Sequence, residues 1–148
     1  MTTLVDTNIL VDLAVRDATW LDWSRTQLLA AMKRGSVVIN QIIFSEFSYR
    51  YDDIDTVEAL LPRDQFTREN LPWPAAFAAS YAFRRYRSVG GRRDRVLPDF
   101  LIGAHATVRG YKLLTRDPSG YRAYFPSLDI ISPDTHPISG PQLSGPST

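Results

Sequence analysis

The chain has 148 residues, enough for one compact domain with a substantial core but too few for two ordinary ones. Hydrophobic residues make up 44%, charged residues 22% and the formal net charge is +1, which excludes a disordered or membrane-spanning class and singles out no partner. With no cysteine and only His105 and His136 as imidazoles, disulfides, thiolate metal sites, cysteine nucleophiles and histidine-rich centres are set aside.

The N-terminus lacks a basic start, and Asp6 and Asp12 interrupt the only stretch resembling the apolar segment of a signal peptide. No run approaches the roughly 18 apolar residues that a membrane span requires. These features predict a cytoplasmic protein without membrane association.

In chain order, the β-prone Thr2-Thr3-Leu4-Val5 predicts a buried strand, Asp6-Thr7-Asn8 a polar turn, and the apolar run from Ile9 a helix. A second amphipathic helix is expected over residues 20–33, stopped by Gly35, followed by a short buried strand at 36–39. Helices follow at about 41–51 and 56–61, the latter ended by Pro62, with a weak strand candidate at 65–68. Pro74 opens an Ala-rich helix reaching Arg87, and Gly90 to Arg95 form a basic loop. A helix from Pro98 to about Val108, a strand at 112–115, a short helix at 118–124 and a last strand at 128–131 complete the pattern. Strands alternating with helices over short connections predict an α/β domain, with a mostly parallel sheet of four or five strands between two helical layers. Residues 132–148, rich in proline and poor in charge and apolar bulk, read as a flexible tail appended to a domain of residues 1–131.

In an open parallel sheet, ligands bind beyond the carboxyl ends of the strands, where strand order reverses. Asp6 follows the first strand and Asp117 follows the strand at 112–115, so both are expected at that end. Asp99 lies in the first turn of its helix and shares a face with Ile102, Gly103 and Ala106. Glu46 falls angularly between Ile42 and Ile43, on the apolar face of its helix, where an uncompensated carboxylate costs several kcal/mol. Each acid has an ordinary alternative: Asp6 as a turn former or cap, Asp99 as a first-turn acid, Asp117 as a cap before Pro118, and Glu46 in a buried ion pair with an arginine. Gathered in one crevice, they instead form an acidic cluster. Two carboxylates 4 Å apart repel by about 4 kcal/mol at an effective dielectric of 20, and a hard divalent cation relieves that repulsion.

The segments Val5-Asp6-Thr7-Asn8-Ile9-Leu10, Ser45-Glu46-Phe47, the run from Pro98-Asp99-Phe100 to Ala106, and Leu114-Thr115-Arg116-Asp117 resemble, in order and spacing, the PIN domains, and among them the VapC toxins. The resemblance spans about residues 2–131. It implies a ribonuclease in which Asp6, Glu46, Asp99 and Asp117 hold one or two Mg2+ or Mn2+ ions, supported by Thr7, Asn8 and Thr115. It also implies a metal-activated water as nucleophile, a VapB-like antitoxin as partner and a homodimer. Ser119 and Gly120 stand where some relatives carry a further acid, which counts against a second ion.

Arg84, Arg85, Arg87, Arg92, Arg93 and Arg95 crowd one region beside Tyr81 and Tyr86, a composition suited to phosphates and unpaired bases, though a solvated helix end reads equally well. Gly90-Gly91 predicts that the loop moves. His105 reads as a partly buried structural residue. Trp20, Trp23, Leu28 and Met32 serve as core, as a homodimer contact or as an antitoxin groove. The competing readings are a PIN-like RNA-binding module without catalysis and a receiver-type signalling domain, the latter disfavoured because Lys112 stands at the beginning of its strand, where a receiver carries its lysine after a late strand.

Overall fold

The protein is described by a computed structural model covering residues 1–90 and 96–138. Its elements are β1 (Thr3–Val5), α1 (Thr7–Ala14), α2 (Leu21–Arg34), β2 (Val37–Ile39), α3 (Gln41–Ser48), α4 (Ile54–Leu60), β3 (Thr67–Arg68), α5 (Trp73–Ser88), α6 (Leu97–Arg109), β4 (Lys112–Leu114), α7 (Ser119–Tyr124) and β5 (Ile130–Ile131). All five strands pair in parallel, in the order β3-β2-β1-β4-β5, and helices flank the sheet as the alternating pattern predicts.

Burial explains why such short strands persist. Leu4, Val5, Ile39, Leu113 and Leu114 are wholly inaccessible, and Leu4 pairs with Val38 on one side and Leu113 on the other. Each large aliphatic side chain removed from water contributes roughly 1.5–3 kcal/mol, which offsets the conformational entropy that the chain loses. The helices begin and end where local chemistry dictates. Asn40 and Asp53 cap α3 and α4 through their side-chain oxygens, on the N–H groups of Ile43 and Thr56. Gly110 closes α6 with φ of 70°, a left-handed conformation that glycine adopts without a Cβ penalty.

Two expectations change. His105 is completely buried rather than partly so, because its ring bonds Asn40 on one side and Glu69 on the other. Residues 132–138, grouped by composition with the tail, pack against the domain: Ser132 is wholly buried, Arg122 pairs with Asp134, and the Trp23 indole N–H donates to the carbonyl of His136 at 2.8 Å. Composition misjudged this stretch because its anchors are single polar contacts and not an apolar run. The remainder of the tail, residues 139–148, lies outside the described residues. Trp23 and Leu28 belong to the core, with Trp20 and Met32 partly buried against it.

Candidate active site

β1 lies at the centre of the sheet, with β2 and β3 to one side and β4 and β5 to the other, so the strand order reverses between β1 and β4. The residues leaving those two strands, Asp6 and Thr115, therefore stand side by side beyond the sheet's carboxyl edge. The Asp6 N–H bonds the carbonyl of Leu114 at 2.9 Å, tying the two strand ends together. A cavity of about 630 Å³ opens here, and Asp6, Glu46, Asp99 and Asp117 all line it, together with Thr7, Asn8, Arg50, Arg116 and Tyr121.

Asp6 is held most firmly. It caps α1, its Oδ1 accepting from the Thr7 N–H at 2.7 Å, so the cap reading and the cavity reading describe one residue. Its Oδ2 accepts from the Thr115 hydroxyl at 2.8 Å, the Tyr121 phenol at 3.0 Å and the Asn8 amide at 3.4 Å. Burial pushes its carboxyl up to about pH 6; these hydrogen bonds oppose the rise and the neighbouring charge of Asp99 adds to it. Tyr121 is itself pushed well above the ordinary phenol range by burial and by Asp6, Asp99 and Glu46, so it remains a neutral donor.

Glu46 departs from its predicted setting. It is half-buried at the cavity wall and not submerged between isoleucines, because Ile43 and Phe47 face the core while Glu46 sits at the margin of that face. Its compensating partner is the Thr7 hydroxyl, which donates to Oε1 at 2.7 Å, where an arginine was the alternative. Asp99 is half-buried at the start of α6, and the Val96 N–H reaches its Oδ2 at 3.5 Å. Asp117 is exposed; its N–H donates to the Thr115 hydroxyl at 3.1 Å, which fixes the turn that carries it.

The supporting residues fall into place around these acids. Thr115 joins Asp6 to the Asp117 turn, Asn8 bridges Asp6 and Thr115, and Thr7 serves Asp6 and Glu46 together. Arg84, Arg85 and Arg87 lie exposed on α5, outside the cavity wall; Arg92, Arg93 and Arg95 lie outside the described residues. Three cavity-side residues went unrecognised in the sequence. Tyr121 lies 115 positions from the carboxylate it bonds, and Asp12 is buried beneath Arg116 in a pairing that nothing local announces.

Every acidic donor at this site is an oxygen, the donor set hard divalent cations prefer. Among the described residues no three of these carboxylates stand, as placed, close enough to enclose an ion. Asp6, whose proton affinity is raised chiefly by burial and further by Asp99, would be returned toward the ionised form by a cation bound here.

The PIN domain model matches residues 3–126. No curated protein matches the sequence significantly. Among solved structures, the chain is similar to VapBC2 from Rickettsia felis bound to a DNA fragment from its promoter, with TM-score 0.70 and 18% identity over 89% of this chain and 98% of that one. It is also similar to FitAcB from Neisseria gonorrhoeae, with TM-score 0.66 and 16% identity over 90% and 99% of the two chains. A toxin–antitoxin complex from Klebsiella pneumoniae gives TM-score 0.63 and 24% identity over 88% and 97%. At these identities the structural likeness establishes the fold, and the match over most of the chain places this protein in the PIN-domain family, a family of nucleases.

Proposed function

We propose that this protein is a metal-dependent endoribonuclease and the toxin member of a VapBC-type pair, with Asp6, Glu46, Asp99 and Asp117 as the metal-binding acids. The observation that carries the reading is the convergence of these four acids, from four separate stretches of chain, on one cavity at the switch point of the sheet. Magnesium or manganese bound there would supply an activated water and stabilise charge on the phosphate. Asp6 and Asp99 would form the inner wall of the ion site, Glu46 would contribute from α3, and the exposed Asp117 would complete it from the β4–α7 turn. Thr115, Tyr121 and Asn8 hold the Asp6 carboxylate in one orientation, and Thr7 does the same for Glu46. No serine or histidine nucleophile is needed.

Recognition of RNA would fall to the arginine-rich region that precedes Asp99. On α5, Trp73, Phe77 and Tyr81 are exposed at four-residue spacing, and the Arg84 guanidinium lies 5.7 Å from the Tyr81 ring, a mixture of aromatic faces and cations suited to unpaired bases and phosphates. The fold relatives include VapBC2 and a toxin–antitoxin complex, which supports a VapB-like antitoxin as partner; assembly as a homodimer is part of the same proposal. Among the described residues no helix is long and apolar enough to cross a membrane.

The test is cleavage of single-stranded RNA with added Mg2+ or Mn2+. Activity that chelator abolishes, and that Asp6→Asn and Asp99→Asn remove while leaving the far-ultraviolet spectrum intact, supports the reading. Equal cleavage by wild type and both variants refutes it.

A further inference from the structure

Arg116 is the only cation of the acid cavity with a fixed orientation among the described residues. Its Nε donates to Asp12 Oδ2 at 2.9 Å, and its guanidinium lies 5.6 Å from the centre of the Trp20 ring. Asp12 is 1% exposed, and the same Oδ2 also accepts from the Ser24 hydroxyl at 2.7 Å. The other oxygen, Oδ1, is buried without a hydrogen-bond partner among the described residues, so Asp12 depends on Arg116 and Ser24 to offset its charge. Arg50, the second arginine of the cavity, is exposed and has no comparable anchor.

The arrangement is uneven in an informative way. Arg116 spends one edge of its fork on Asp12, while among the described residues its two terminal nitrogens have no protein acceptor, and the side chain stays 30% exposed on the wall that carries Asp6, Asp99 and Asp117. An arginine needed only as a strut would be expected to use its terminal nitrogens on the carboxylate, in the bidentate geometry that such pairs favour. Here the paired edge faces the core and the unpaired edge remains available at a cavity otherwise rich in negative charge. Without a cation on its wall, that cavity would repel a phosphodiester along with everything else anionic.

We infer that Arg116 binds a non-bridging oxygen of the RNA phosphate, and that Asp12 is the positioning residue that aims it. The inference rests on the nuclease reading of the cavity and adds a specific phosphate contact to it. Arg116 and Asp12 arrive on different elements, the β4–α7 turn and α1, and their pairing sets the distance between the cation and the acids that flank it in both segments, Asp6 and Asp117.

The experiment measures binding of a short fluorescein-labelled single-stranded RNA across a salt series with Ca2+, together with single-turnover cleavage in Mn2+. Each phosphate contact contributes about 0.7 to the slope of log affinity against log salt for a single strand. Arg116→Ala is expected to lower the slope by about 0.7 and the cleavage rate about 100-fold. Because that change strands Asp12, the paired variant Asp12→Asn/Arg116→Gln serves as the second arm: it preserves the net charge and a donor–acceptor contact, and the same loss of slope is expected. Asp12→Asn alone should keep the slope, since the cation remains, and lower the cleavage rate about tenfold, since its aim is lost.

An unchanged slope in both Arg116 variants overturns the inference, whether or not cleavage falls, and leaves Arg116 a structural strut. Failure of wild type to bind RNA overturns it as well. Binding that responds to Arg116 in a protein that never cleaves would refute the nuclease reading and uphold the phosphate contact.

Discussion

Asn40 and His105, 65 positions apart, share a 2.8 Å hydrogen bond deep in the protein that settles how two segments of the fold meet. The Asn40 oxygen is already committed to the Ile43 N–H as the cap of α3, so its amide group faces His105 Nδ1, which must accept. Assigned from this network, the ring proton sits on Nε2 and is donated to Glu69 Oε1 at 2.7 Å. Glu69 also accepts from the Tyr111 hydroxyl at 2.7 Å. Burial alone would raise the Glu69 carboxyl, but the bonds from His105 and Tyr111, with the Arg109 charge, leave it below its ordinary value.

His105 thus anchors the start of the helix that carries Glu46. His105→Ala would leave a cavity, strip Asn40 of its partner and remove a donor from Glu69, for a loss of about 2–4 kcal/mol. Urea unfolding checks the magnitude. Hydrogen exchange should show the first turn of α3 opening faster while α7, on the far side of the cavity, keeps its protection.

The Asp6 carboxyl gives the metal-free protein an unusual pH dependence. Its folded value of about 6 lies above the ordinary 3.8, so the folded state holds the proton more tightly than the unfolded chain. The resulting stabilisation is complete below pH 3.8 and is lost as pH rises through 6. The difference amounts to about 3 kcal/mol between the two limits. Asp6→Asn should remove this part of the profile and raise metal-free stability near neutral pH, a gain read directly from denaturant midpoints at pH 5 and pH 7.5. Saturating Mn2+ should stabilise wild type and leave Asp6→Asn little changed.

A third expectation concerns the close packing of α6 on α7. A Cβ at Gly103 would approach Phe125 Cε2 at 2.6 Å and Tyr121 Cδ1 at 3.0 Å, and both rings are buried. Gly103→Ala should therefore cost about 1–3 kcal/mol through overpacking. The shift of Tyr121 should also weaken its bond to Asp6, so cleavage should fall more than the thermal midpoint alone accounts for. A variant as stable as wild type would mean that the rings move aside freely.

Much of this architecture was legible because its signals are local. Continuous apolar runs such as Leu113-Leu114 mark buried parallel strands, and the turn residues Gly35 and Gly110 mark helix ends. The acids Asp6 and Asp117 were placed by their position after strands, a rule of sheet topology that needs no side-chain detail. Glu46 was read correctly as belonging to the apolar side of α3 but too deeply, because helical angle gives direction without saying where the core stops. Tyr121, Asp12 and the Ser132 region stayed hidden for a common reason. Their roles depend on contacts between segments that only the completed sheet brings together, such as Arg116 with Asp12 across 104 positions.

The most direct test of the acid cavity as a metal centre is a crystal soaked in Mn2+ and recorded with anomalous scattering. The predicted result is a peak at the carboxyl edge of β1 and β4, within coordination distance of the Asp6 and Asp99 carboxylates, and absent in Asp6→Asn. Manganese bound only elsewhere, with the four acids unchanged around a cavity free of anomalous density, would contradict it.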